Sequence, residues 1–149
     1  MLGVGALFIE LSINMKIEEN IELKFSKRDN TWEGKIKTIY SEIPVDVFLE
    51  VENEHENINE QVKIITTFFN EYEDFSPSFY QLIFKQYSES TFQKSIEEIR
   101  RMYFLSSVGL KKDNITCWVV LEPSFEVASI YNHFMRFTVH NKEVVWSNI

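Results

Sequence analysis

The sequence predicts an α+β domain in which three strands, two or three helices and four further strands follow in order, with the helices packed on one face of an antiparallel sheet. Three observations predict it. Apolar and polar residues alternate from Ile21 to Glu52. The period then lengthens to three and four residues between Asn57 and Tyr103. After Ser107 alternation returns, broken by short turn sequences.

The first strand covers Ile21–Ser26, and Lys27-Arg28-Asp29-Asn30 supplies a turn. A second run extends from Trp32 to Tyr40, and a third from Ile43 to Glu52 after a turn at Ser41-Glu42. Charges fix an expected register. Pairing Phe25 with Trp32 sets Lys24 opposite Glu33 and Glu22 opposite Lys35. Pairing Tyr40 with Ile43 sets Lys37 opposite Asp46 and Lys35 opposite Phe48. A slip of one residue would set lysine opposite valine or isoleucine.

Ile58, Val62, Ile65, Phe68, Phe69 and Tyr72 then form one helical stripe, with Asn57 and Glu60 spaced as a capping box. Ser76-Pro77 ends this element and can open the next, whose apolar side is Phe79, Leu82, Ile83 and Tyr87. A third stripe reads Phe92, Ile96, Ile99 and Tyr103, and the last two helices can be one long, broken helix. The closing strands are Val108–Lys111, Ile115–Glu122, His133–His140 and Glu143–Trp146. In the final hairpin Val139 faces Val144, Phe137 faces Trp146 and His140 faces Glu143. Residues 1–14 form an apolar extension, shorter than the roughly 20 residues a membrane span needs. Met15-Lys16 leaves two readings of it, an upstream read-in ahead of a native start or an extra edge strand; residues 15–149 make up the single domain. The extension lacks the basic residues and cleavage site of a secretory signal, so the expected location is cytoplasmic.

Composition narrows the function classes. The 149 residues carry 15 Lys+Arg against 23 Asp+Glu, a net charge of −8, which disfavours general binding to a phosphate backbone. A single cysteine excludes an internal disulfide and a cysteine-based zinc site. The four glycines are scattered, and no nucleophile-elbow, zinc-protease or EF-hand pattern occurs. Cys117 shares its alternating run with Ile115, Val119 and Leu121 and is expected in the core, away from the electropositive, accessible setting a reactive thiol requires. Of the three histidines, His140 belongs to the last hairpin, His55 lies between Glu54 and Glu56, and His133 follows an aromatic loop. None has a partner pattern that specifies catalysis or a metal, so no catalytic residue, cofactor or metal is assigned.

The strongest local feature is acidic. Between Glu42 and Asp74 stand ten carboxylates against one cation, Lys63. On the third strand Asp46, Phe48, Glu50 and Glu52 share the face opposite Val45, Val47, Leu49 and Val51, so an aromatic ring is expected among outward carboxylates, continued by Glu54 and Glu56. A ring ringed by charge suits a protein interface, the charge steering the encounter and the ring anchoring it. Glutamates just before a helix also stabilise its N-terminus, and an outer sheet face is ordinarily charged, so solvated surface is the more ordinary reading of the same residues. The loop Pro123–Asn132 carries Phe125, Ile130 and Tyr131, either a second contact surface or a satellite of the core.

Trp32-x-Gly34, the helix from Asn57 with Gln61 and Phe68-Phe69-Asn70, and the closing strands Cys117–Glu122, His133–Val139 and Val144-Val145 carry a resemblance. Over residues 16–147 the chain resembles small bacterial α+β domains of unknown function that occur beside polymorphic toxins as candidate immunity proteins. The resemblance implies a cognate protein toxin as partner and no catalytic residue. Where such domains often carry an acidic-His-Gly stretch, this chain reads Tyr131-Asn132-His133-Phe134. The expectation is a non-catalytic protein that neutralises a basic toxin, such as a nuclease, through Asp46, Phe48, Glu50, Glu52, Glu54, Glu56, Phe125 and Tyr131, without itself contacting nucleic acid or membrane. The competing class is a small-ligand or metal-binding domain, enzymatic or not, with a pocket near His133, Tyr131 and Trp118. A third class, a homo-oligomer subunit, would cover the aromatic loop in a symmetric contact.

Overall fold

Alternation builds strands where it is strongest. The computed structural model describes residues 6–9, 12–13, 16–17, 21–124 and 133–147. Its elements are β1 (Ala6–Ile9), β2 (Ser12–Ile13), β3 (Lys16–Ile17), β4 (Ile21–Ser26), β5 (Thr31–Ile36), β6 (Val45–Glu50), α1 (Asn59–Asn70), α2 (Tyr72–Ser88), α3 (Ile96–Met102), β7 (Tyr103–Leu110), β8 (Thr116–Pro123), β9 (Met135–His140) and β10 (Glu143–Trp146). The architecture is α+β. One eight-stranded sheet runs β1-β4-β5-β6-β7-β8-β9-β10, and β2 and β3 form a separate ribbon. The sheet is mixed rather than wholly antiparallel, because β6 and β7 pair in parallel. All three helices lie between these two strands in sequence, and a crossover of that length lets the chain re-enter in the same direction.

Register follows expectation in the first hairpin and departs from it in the second. Phe25 faces Trp32 and Lys24 faces Glu33. Glu22, however, forms an ion pair with Lys24 on its own strand, at 3.8 Å. Between β5 and β6 the register is offset by two residues from the expected one. Lys35 faces Asp46, Glu33 faces Phe48 and Ile36 faces Val45, so neither Lys37–Asp46 nor Lys35–Phe48 forms. The Lys35 ammonium donates to Asp46 at 2.6 Å. A two-residue offset keeps every side chain on its expected face. It arises because residues 37–44 form a loop instead of a tight turn. The Thr38 and Ser41 hydroxyls accept from the N–H groups of Tyr40 and Ile43, drawing the backbone away from the ladder. Pro44 has no N–H to give, and Ile39 and Ile43 are exposed outside the strands.

The helices differ from expectation at their ends. Ile58 caps α1 without a side-chain bond, and the Asn57 side-chain Oδ1 accepts from the Asn59 N–H, so the expected capping box does not close. The break falls at Glu71, ahead of Ser76-Pro77, and Pro77 lies inside α2. The third helix is short and separate. Phe92 lies in the preceding loop, exposed, and Tyr103 opens β7. A capping box that the sequence reading overlooked starts α3: Ser95 Oγ accepts from Glu98 N–H, and the Glu98 carboxylate accepts from Ser95 N–H. Those bonds hold the Glu98 carboxyl below its ordinary pKa.

β7 is twice the expected strand because a β-bulge interrupts its alternation. Leu105 pairs with Leu121 and Ser107 with Val120, leaving Ser106 extra. Tyr103 and Leu105 therefore bury on the same side as Val108 and Leu110. The final hairpin forms as expected, with Val139 facing Val144, Phe137 facing Trp146 and His140 facing Glu143. Its turn holds Asn141 and Lys142 at positive φ, the geometry a two-residue hairpin requires.

The core fills one side of the sheet. Leu23, Trp32, Val47, Leu49, Leu105, Val119, Leu121 and Phe137 point into a cluster completed by Ile65, Phe69, Phe79 and Ile83 of the helices. Phe79 lies 4.8 Å from Phe137, which stacks on Trp146 at 4.6 Å. The Tyr87 and Tyr103 hydroxyls hydrogen-bond at 2.8 Å between α2 and β7.

Candidate functional site

With the helices on one side, the alternate strand residues face outward, and among the described residues no helix covers them. This face is where β6 carries Asp46, Phe48 and Glu50, each partly exposed. Across the strands Phe48 is level with Gly109 of β7, and Gly109 with Trp118 of β8. The two rings meet over that glycine, centroids 5.3 Å apart and planes 33° apart. A Cβ at position 109 would overlap the Trp118 indole, so only glycine lets the ring lie flat on the sheet. The aromatic pair is thus built from three strands. Sequence reasoning placed Phe48 here but missed its companion, since the parallel pairing that brings β7 and β8 beside β6 leaves no local signal.

Around the pair, charge is mixed. A shallow depression of about 310 Å³ beside Trp118 is lined by Glu50, Lys111, Trp118, Val119, Val120, Arg136 and Phe137. Further along the face, the Ser106 hydroxyl on the bulge bonds the Glu122 carboxylate.

The predicted acidic ridge is divided. Asp46 is matched by Lys35, and Glu52, in the loop after β6, lies 4.0 Å from Lys112. Glu71 and Asp74 sit at the α1–α2 junction, where Lys142 of the last hairpin reaches them at 3.6 and 3.1 Å. Both carboxylates raise the Lys142 pKa. Glu56 accepts from the Gln61 amide, and Glu54 lies partly exposed in the same loop. Of the residues expected to bind a partner, Asp46, Phe48 and Glu50 therefore share one face. Glu52, Glu54 and Glu56 lie in the loop that follows β6, and Phe125 and Tyr131 lie outside the described residues.

The remaining candidates do not converge. Cys117 is buried, and burial, reinforced by Asp113, pushes its thiol pKa up to about 12. His55, His133 and His140 are exposed at separate places. His133 does not line the depression beside Trp118, and Tyr131 is outside the described residues. Among the described residues no group of three or more His, Cys, Asp or Glu is arranged to hold a metal ion, and no helix is long and apolar enough to cross a membrane. Comparison with family models, curated proteins and solved structures finds no match to this chain.

Proposed function

We propose that this protein is a non-catalytic binding module of the immunity type, which holds a cognate, cationic bacterial toxin against the open face of its sheet. The observation that carries this reading is the Phe48–Trp118 pair, two large rings left partly exposed on a face no described helix covers. Aromatic groups of this kind, ringed by polar and charged residues, are the usual anchors of protein interfaces. The net charge of −8 supports a cationic partner through long-range attraction, and Glu50, Glu52 and Glu54 follow Phe48 at alternate positions in the chain.

The test uses the purified product of the adjoining reading frame as partner. Phe48→Ala and Trp118→Ala are each expected to weaken binding by about 2 kcal/mol, near thirtyfold, through faster dissociation. Replacing Glu50, Glu52 and Glu54 together by glutamine should slow association and flatten its dependence on salt. Full affinity in both aromatic variants would remove the open face from the account.

A further inference from the structure

The depression beside Trp118 carries a charge pattern opposite to that of the molecule as a whole. Two of its walls are cations, Lys111 and Arg136, against one carboxylate, Glu50. Lys111 follows β7 with its N–H on the Thr116 carbonyl, and Arg136 faces Val120 across the β8–β9 ladder, so the two stand level with residues on either side of Trp118 along β8. Neither cation forms a salt bridge among the described residues, although Lys111 also acts on Asp113 from a distance. Lys35, Lys112 and Lys142 on the same molecule all do.

We infer that this depression is the anchor pocket of the docking face, and that its occupant is a carboxylate side chain of the partner polypeptide lying beside an apolar group. Arg136 and Lys111 supply charge-assisted donors to the carboxylate, and the Trp118 and Val120 surfaces take the apolar group. Charge complementarity selects a polypeptide over a free anion. A molecule of net charge −8 holds off a small anion at long range in low salt, a repulsion that screening removes beyond about 8 Å at roughly 0.15 M. A carboxylate presented on a cationic protein arrives with the attraction of its surroundings, and is neutralised only at contact. This inference rests on the proposal that the open face binds a protein, and it adds the chemistry of the anchoring group.

A probe independent of the partner tests it. A capped Phe-Asp dipeptide is titrated against the full chain at roughly 0.15 M salt, where screening acts over about 8 Å. Binding is read from the indole N–H resonance of Trp118, assigned by its loss in Trp118→Phe. The expected result is saturable displacement of that resonance, with affinity on the order of millimolar and about tenfold above that of the Phe-Asn counterpart. Arg136→Gln and Lys111→Gln should each erase most of that preference, while the Trp32 resonance stays fixed. Equal response to both dipeptides, no response to either, or an Asp preference that survives both substitutions would overturn the pocket. The partner affinities of Phe48→Ala and Trp118→Ala report separately on the docking face.

Discussion

The two faces of the sheet use the same kinds of residue for opposite ends. On the covered face Phe137 lies between Phe79 and Trp146 and is completely buried, and Tyr87 and Tyr103 satisfy each other's hydroxyls. On the open face Phe48 and Trp118 pair over a glycine and stay partly exposed, with charged groups around them. Ring against ring within a closed core contributes stability. The same contact left facing water contributes little, and its persistence is a reason to look for a partner.

Truncation separates the faces most sharply. Phe79→Ala should cost about 3–5 kcal/mol in urea unfolding, since a fully enclosed ring leaves a cavity the helices cannot close. Gly109→Ala comes next, at about 1–3 kcal/mol, because the added methyl meets the indole and must displace it. In a Trp118→Ala background the same change should be nearly free, and that rescue is the informative part. Smaller again are Tyr87→Phe, at about 1 kcal/mol for one buried hydroxyl bond, and Phe48→Ala, at about 1 kcal/mol for an exposed aromatic pair. If Phe48→Ala unfolded the protein as severely as Phe79→Ala, the distinction between the faces would collapse.

One further expected effect appears only in alkali. Burial holds the Cys117 thiol neutral, from an ordinary pKa of 9.0 to about 12 in the folded chain. Between those values the unfolded state releases a proton that the folded state keeps. The resulting stabilisation is therefore complete below about pH 9 and drains away as pH rises towards 12. Cys117→Val should lose less stability than the parent chain over that interval, followed by thermal unfolding at stepped pH.

The covered face was largely legible in the sequence, and the open one only in part. Alternation named Leu23, Phe25, Val45, Val47, Leu49 and Cys117 as inward, and helical spacing named Ile65, Phe68, Phe79 and Ile83, because burial imposes a period on local sequence. Where that period broke, the reading did too. Extra Ser106 reverses the parity of β7, so Tyr103 was joined to a helical stripe and the strand began too late. Hydroxyls at Thr38 and Ser41 redirected a segment whose alternation continued unbroken, which moved the second hairpin by two residues. Asp46, Phe48 and Glu50 were placed correctly on one face. Trp118, Lys111 and Arg136 were not gathered around them, since that depends on a parallel pairing between strands separated by three helices. The pairing of Glu71 and Asp74 with Lys142 is equally non-local, and it removes those carboxylates from any free acidic surface.

The most direct test of the open-face account is fluorine NMR of protein labelled with fluorotryptophan, recorded with and without the adjoining gene product. Three resonances report on Trp32 in the core, Trp146 near the free sheet edge, and Trp118 on the open face. Complex formation should shift or broaden the Trp118 signal and leave Trp32 where it was. A partner that binds at full affinity while Trp118 stays unperturbed would contradict the account.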